Sequence, residues 1–87
     1  MKETEKILKA LANRRRLAII KYLNRVHKAS VGDIASEIKL SFNATSKHLG
    51  LLRSADVLER EQINLNMIYT LNVPIHSIVK SLISIIN

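Results

Sequence analysis

The chain has 87 residues, which suffices for one domain over residues 1–87 and lies near the lower size limit for a self-sufficient core. It contains no cysteine, so disulfides, thiolate metal sites and thiol redox sensing are excluded. Fourteen Lys and Arg against seven Asp and Glu give a net charge of +7, a balance typical of proteins that bind nucleic acid.

The first predicted helix is Lys2–Leu11, in which Ile7, Leu8 and Leu11 recur at helical spacing. The same segment begins MKETEKIL and lacks the apolar region of a secretory signal. No apolar run in the chain approaches the roughly 18 residues of a membrane span. We therefore expect a cytoplasmic protein without a membrane partner.

A second helix is predicted after Asn13, a residue type favoured at helix N-caps, and it ends at the break around His27–Ala29. Its first turn holds three cations in a row: Arg14, Arg15 and Arg16. The positive end of the helix dipole disfavours cations there, at a cost of about 0.3–1 kcal/mol each. The cluster therefore indicates a polyanionic partner such as a phosphate backbone. The alternatives are a solvated cluster, or an Arg16 paired with Glu59 or Glu61.

The stretch Ser30–Leu52 predicts two short helices joined by a tight turn. Ser30 caps the third helix, and Lys39–Leu40 forms the turn. Ser41 then caps a fourth helix, which runs to about Ala55. A paired-helix unit of this kind can place its second helix in the major groove of double-stranded DNA.

The fourth helix has two chemically different sides when its residues are plotted at about 100° each. The inner side is predicted to pack on the second and third helices and comprises Ala44, Thr45, His48, Leu49, Leu51, Leu52 and Ala55. The outer side comprises Phe42, Asn43, Ser46, Lys47, Gly50, Arg53 and Ser54. Amide, hydroxyl and cationic groups read base edges or bind phosphate. The predicted DNA contacts of this helix are therefore Ser41, Phe42, Asn43, Ser46, Lys47 and Arg53.

This outer side has alternative interpretations. It could be an ordinary solvated helix face, as most polar faces are. Phe42, the only phenylalanine, could rest on a thymine methyl or fold back as an apolar lid on the turn. His48 lies on the inner side and is expected to be a packed histidine rather than a ligand for DNA or metal.

After Asp56 the pattern changes to that of strands, and Leu58–Ile63 and Asn66–Leu71 predict a hairpin. Asn64 at its tip tolerates a left-handed backbone. Two hairpin residues could touch the DNA backbone or minor groove, namely Arg60 and Gln62. With a final helix after the hairpin, the order of elements is that of a winged helix-turn-helix domain, a mainly α fold with a small β-hairpin.

The final helix is predicted over Ile75–Ile86, with Pro74 in its first turn. A monomer of this size can hardly bury the apolar residues of both terminal helices, so we expect a homodimer in which they pair symmetrically. The predicted interface comprises Ile7, Leu8, Leu11, Ile75, Ile78, Val79, Leu82, Ile85 and Ile86. The alternative is that these side chains pack on the core of their own subunit.

The chain resembles the ArsR/SmtB family of small winged-helix repressors over essentially its whole length. Leu8–Leu23 is similar to the family's opening helix pair, and Ser30–Ile38 to its third helix. Leu40–Leu58 is similar to its recognition helix, and the S-x-H-L core at Ser46–Leu49 is the most specific part. The resemblance implies a homodimer that binds an inverted repeat at a promoter and blocks transcription until a signal releases it.

The chain departs from this family at its metal sites. Metal-sensing members carry a cysteine pair where this chain has Ser30 and Gly32, and the last helix offers only His76. One histidine without Asp, Glu or Cys neighbours is not a transition-metal site. We therefore expect no metal and no cofactor, and the sequence identifies no effector.

The main hypothesis is a regulator that binds double-stranded DNA. The alternative is a winged-helix module that binds protein without reading DNA, which Phe42 and the isoleucine-rich last helix would suit. The Arg14–Arg16 cluster and the polar outer side of the fourth helix favour DNA. An enzyme is not expected, because the sequence shows no nucleophile–base pair, glycine-rich phosphate loop or carboxylate dyad.

Overall fold

The computed structural model describes residues 2–86 and confirms the predicted winged helix-turn-helix architecture. The helices are α1 (Lys2–Leu11), α2 (Arg14–Val26), α3 (Val31–Ile38), α4 (Phe42–Ser54) and α5 (Ser77–Ile86). The strands are β1 (Ala29–Ser30), β2 (Leu58–Ile63) and β3 (Asn66–Leu71), and they form an antiparallel sheet in the order β1-β3-β2. β2 and β3 are the hairpin, with Leu58 opposite Leu71 and Ile63 opposite Asn66.

The core is built from aliphatic side chains of the helices and the sheet. The side chains without any exposed surface include Ile19, Ile20, Leu23, Ile34, Leu49 and Leu52. α4 contributes Thr45, Leu49 and Leu52 to the interior, and it packs against α1, α2, α3 and β2. Because these contacts hold one side of α4, the direction of its opposite side is fixed by the core.

The predicted N-caps of three helices are confirmed. Asn13 Oδ1 accepts the backbone N–H groups of Arg15 and Arg16 at 2.9 and 3.2 Å. Ser30 Oγ accepts the N–H of Asp33 at 3.1 Å, and Ser41 Oγ accepts the N–H of Ala44 at 3.1 Å. Each such cap stabilises its helix by about 1 kcal/mol. The start of α4 is therefore set by a local signal as well as by packing.

The turn between α3 and α4 lies at the predicted residues. Lys39 adopts the left-handed conformation at φ 55° and ψ 51°, and the N–H of Leu40 donates to the carbonyl of Ala35 at 3.1 Å. This arrangement resembles the Schellman ending of a helix, which satisfies carbonyls that the helix leaves open. The hairpin tip is equally as predicted, since Asn64 has a φ of 56°.

Two boundaries differ from the prediction. α5 begins at Ser77 rather than Ile75, because His76 caps it: its Nδ1 accepts the N–H of Ile78 at 3.1 Å and its carbonyl accepts the N–H of Lys80 at 2.9 Å. Pro74 therefore precedes the helix. The segment predicted as a break also contains β1, which pairs with Ile68 and Tyr69 of β3. A two-residue strand is too short to show a period in the sequence.

Among residues 2–86, no helix has the length and apolar character needed to cross a membrane.

Candidate nucleic-acid interface

The outer side of α4 is open to solvent. Asn43, Lys47 and Arg53 are exposed, and Ser46 is half-buried. Phe42 has 59% of its surface exposed, so it does not fold back as a lid on the turn. One helix therefore presents an amide, a hydroxyl, two cations and an aromatic ring to the same side.

The inner side of α4 is narrower than predicted. Leu51, which the helical pattern predicts to pack inside, is 53% exposed, because it lies at the margin of the packed side of α4. It lines a shallow groove between α4 and α1, together with Lys6, Lys9 and Ala10.

The first turn of α2 places its three arginines in different surroundings. Arg14 is exposed. Arg15 is half-buried, and its Nη1 donates to the carbonyl of Ile38 at the end of α3, at 2.8 Å. Arg14 is therefore the member of the cluster best placed to meet a phosphate, and Arg15 also ties α2 to α3.

Arg16 is directed into the subunit. Its Nε donates to the carbonyl of Ala10 at 2.5 Å and its Nη2 to the carbonyl of Lys9 at 3.5 Å. Its Nη1 lies 3.3 Å from His48 Nδ1. The alternative that paired Arg16 with Glu59 or Glu61 is therefore wrong, since open carbonyls at the end of α1 attract the guanidinium instead.

His48 is half-buried beside Arg16, which agrees with its interpretation as a packed histidine. A guanidinium can only donate hydrogen bonds, so His48 Nδ1 accepts and the ring proton is on Nε2. Burial, and then the positive charges of Arg16 and Arg15, lower the pKa of His48 below its ordinary value of 6.5. The folded protein thus favours the neutral imidazole.

The hairpin carries charges of both signs beside α4. A groove of about 660 Å³ separates the end of α4 from β2, and its charged lining residues are Lys28, Arg53, Asp56, Glu59, Arg60 and Glu61. Arg60 is exposed, whereas Gln62 Nε2 donates to the carbonyl of Asn64 at 3.4 Å. The mixed charges make this face less attractive to phosphate than the start of α2.

The predicted dimer residues fall into three groups. Ile7, Leu11 and Val79 are 6%, 5% and 1% exposed, so these three pack in the core of their own subunit and not at an interface. Leu8, Ile75 and Ile85 are 51%, 36% and 77% exposed. Three further residues are partly exposed, namely Ile78, Leu82 and Ile86.

Sequence reasoning missed the contact of Arg16 with His48 and the capping role of His76. The only available signal was indirect: an arginine stands five residues after the last residue of α1, where it can reach back to open carbonyls. Among residues 2–86, no three His, Cys, Asp or Glu side chains come together in a way that could hold a metal ion.

Comparison with known proteins gives one family and several relatives. Residues 13–60 match the family described as "Bacterial regulatory protein, arsR family". The transcriptional activator HlyU of Vibrio cholerae is 38% identical over 66 residues, which cover 76% of this chain and 60% of HlyU. The match thus spans less than two thirds of that relative.

Solved structures show the same architecture. HlyU from Vibrio cholerae N16961 has a TM-score of 0.82 at 33% identity, with 97% of this chain and 87% of that chain covered. The transcriptional repressor PagR of Bacillus anthracis has a TM-score of 0.83 at 29% identity, with 99% and 94% covered. The homodimeric winged helix-turn-helix DNA-binding domain of Mb0332 from Mycobacterium bovis has a TM-score of 0.83 at 25% identity, with 98% and 75% covered.

Proposed function

Because the chain belongs to the arsR family of bacterial regulatory proteins, we propose that it regulates transcription by binding double-stranded DNA as a homodimer. The observation that carries the proposal is the exposed outer side of α4, which the core and the Ser41 cap hold in a fixed direction. HlyU is named an activator and PagR a repressor. We propose repression, because a dimer bound to promoter DNA blocks transcription by occupying that DNA and needs no additional activity.

In the proposed complex α4 enters the major groove, which is about 12 Å wide and admits one helix. Asn43 would pair with adenine through its amide, and Lys47 would reach guanine or a phosphate. Ser46 can bond several bases, and the exposed ring of Phe42 suits a thymine methyl. These side chains would determine the sequence that is read.

Other residues would fix the position of the subunit on the duplex. Arg14 at the start of α2, and Arg53 at the end of α4, are exposed cations that suit the phosphate backbone. Ser41 can donate its hydroxyl proton while its oxygen caps α4. Arg60 and Gln62 would meet the neighbouring backbone or minor groove.

The homodimer would form through the exposed apolar residues of α1 and α5, including Leu8 and Ile85. A two-fold axis between these helices would repeat α4 about one DNA turn away, at roughly 34 Å. The preferred DNA would then be an inverted repeat. Mb0332 is described as homodimeric, which supports this arrangement for the present chain.

Selection from a random duplex library tests the proposal. We expect the protein to enrich an inverted repeat with half-site centres about 10 base pairs apart. If the dimer neutralises about eight phosphates, the log of its affinity falls with log salt at a slope near −7 in fluorescence anisotropy. Failure to enrich any duplex, or binding indifferent to salt, would contradict DNA recognition.

A protein-binding module is the second candidate, and exposed apolar side chains favour it. Leu65 at the hairpin tip is 96% exposed and Phe42 is 59% exposed. A module that used them to hold a protein would bind random and selected duplexes equally weakly. The anisotropy measurement therefore separates the two functions.

A further inference from the structure

The guanidinium of Arg16 connects three helices. Arg16 belongs to the first turn of α2, it donates to two carbonyls at the end of α1, and its third contact is His48 in the middle of α4. Both partners in the last contact are half-buried. The contact therefore links the recognition helix to α1, a helix that the proposed dimer also uses.

We propose that Arg16 and His48 form a positioning pair that fixes the rotation of α4, and that protonation of His48 releases α4 and lowers discrimination between DNA sequences. The pair affects function only if α4 reads DNA, so the proposal rests on the function proposed above.

Arg16 is anchored on the α1 side of the pair. The carbonyls of Lys9 and Ala10 lie in the last turn of α1, where a helix has no internal donors for them. A cation is also favoured at that negative end of the helix dipole. Two donors of the guanidinium are held there, so the third donor has a defined direction, and it meets His48 Nδ1 at 3.3 Å.

His48 can accept this hydrogen bond only while Nδ1 is unprotonated. A proton on Nδ1 would place two donors and two positive charges 3.3 Å apart. The surrounding charges add to the repulsion, because Arg15 is close by and Lys6 of α1 lines the same groove as Arg16.

The acidic groups of the neighbouring helices do not offset this charge. Glu5 of α1 is 3.1 Å from Lys9, and Glu37 of α3 is 3.4 Å from Arg25, so each already has a cationic partner. Asp33 of α3, Glu3 of α1, and Glu59 and Glu61 of β2 are not among the groups that change the pKa of His48. Lys47 precedes His48 on α4 itself and brings a further positive charge. Protonation would therefore separate Arg16 from His48.

The rotation of α4 about its own axis matters because it sets the directions of the side chains proposed to contact the bases. Asn43, Ser46 and Lys47 must meet base edges together, and such contacts tolerate errors of only about 10–20°. The buried residues Thr45, Leu49 and Leu52 lie on one side of α4 and attach that side to the core. The Arg16–His48 contact adds a polar link at the margin of that side.

A simple charge effect predicts the opposite result. Protonation of His48 adds a positive charge near the proposed DNA face, which would strengthen binding to every duplex. Loss of position would instead weaken the selected duplex relative to a random one. The ratio of the two affinities therefore separates the explanations.

The experiment measures this ratio at about pH 7.5 and about pH 5, because the pKa of His48 lies below the ordinary value of 6.5. The probes are the duplex that the wild-type protein selects at the higher pH and a shuffled duplex of the same composition. The variants are His48→Gln, whose amide oxygen can still accept from Arg16 and does not titrate, and His76→Asn. His76→Asn is the matched control because it removes an imidazole that accepts from Ile78 rather than from Arg16, and it retains a side chain that caps α5 well.

We expect the wild-type ratio to fall about tenfold at the lower pH, the equivalent of one charged hydrogen bond. His76→Asn should show the same fall, whereas the His48→Gln ratio should not change with pH. The ¹⁵N shifts of the His48 ring should show an unprotonated Nδ1 at the higher pH, and the Nδ1 shift should move in Arg16→Lys because its guanidinium donor is removed.

A wild-type ratio that does not change with pH, or an equal fall in His48→Gln, would overturn the positioning pair while DNA binding stands. A wild-type protein that shows no salt-dependent binding to any duplex would overturn the proposed function, and the positioning pair with it.

Discussion

The outer side of α4 and the outer face of α5 are both exposed, yet their chemistry differs. α4 presents Asn43, Lys47 and Arg53, which suit a charged and polar partner. The groove on α5 is lined by isoleucines, a leucine and two serines, without any charge: Ser77, Ile78, Ser81, Leu82 and Ile85. An uncharged apolar face is most readily covered by an identical copy of itself.

The two regions also differ in how firmly the subunit holds them. α4 has three buried residues and a Ser41 cap, whereas α5 has Val79 alone as a buried residue. Its own subunit thus holds α5 far less firmly than α4. In the proposed dimer the second subunit would cover the exposed residues of α5, whereas α4 is held by its own subunit.

Ile85→Lys should have the largest effect, because it changes the exposed apolar face of α5 that the proposed dimer would cover. Ile85 is 77% exposed, so a lysine leaves the subunit folded but would bury a charge in the dimer, at a cost of several kcal/mol. We expect a monomer by analytical ultracentrifugation and a loss of more than about 100-fold in affinity for the selected duplex.

Ser84→Lys is the control for this change. Ser84 is exposed on α5 but does not line the groove, so the same charge there should leave the dimer intact. If Ile85→Lys remained dimeric, α5 would not be the interface, and the contrast between the two regions would fail.

Asn43→Ala should have the next largest effect, this time on α4. Loss of an amide that pairs with a base should reduce discrimination at one position by about 1–3 kcal/mol. Arg14→Ala is the comparison, since a lost phosphate contact should weaken all duplexes alike and reduce the salt slope by about 1. Equal loss of discrimination in both variants, measured by competition anisotropy, would contradict the division between reading and positioning residues.

The features predicted correctly from the sequence are mostly local. The caps at Asn13, Ser30 and Ser41, and the turn at Asn64, each depend on a few neighbouring residues. A residue type and its spacing are enough to indicate such features. The polar outer side of α4 was predictable for the same reason, because helical period alone separates it from the core.

The features that were missed depend on partners distant in the chain. The sequence could not show that Arg16 reaches Ala10 and His48, since 32 residues separate it from the histidine. Leu51 fitted the apolar pattern, but the groove that it lines with α1 leaves it 53% exposed. The burial of Ile7 within the subunit could not be predicted either, because an apolar stripe on a helix does not indicate whether its own subunit or a partner covers it.

Thr45→Val tests the packed side of α4 and should stabilise the fold. Among residues 2–86, Thr45 Oγ1 is fully buried and has no hydrogen-bond partner. Valine has nearly the same shape without the unpaired hydroxyl, so the free energy of unfolding in urea should rise by about 1 kcal/mol. Affinity for the selected duplex should not change. Thr45→Ser is the control: it keeps the hydroxyl and loses the methyl, so it should be less stable than the wild type. If Thr45→Val were destabilised instead, the Thr45 hydroxyl would have a hydrogen-bond partner.

The dependence of the unfolding free energy on pH should show the smallest effect. It tests the contact of His48 with Arg16, at the margin of the packed side of α4. The pKa of His48 is lower in the folded protein than its ordinary value of 6.5, so the unfolded chain binds the proton more readily. His48 therefore contributes stability that is fully present above pH 6.5 and is lost as the pH falls through its folded pKa. In urea unfolding series, the wild type should lose more stability than His48→Gln over this acidic range. Identical losses would mean that neither burial nor Arg16 disfavours the charged imidazole, and the polar link between α1 and α4 would then have no energetic consequence.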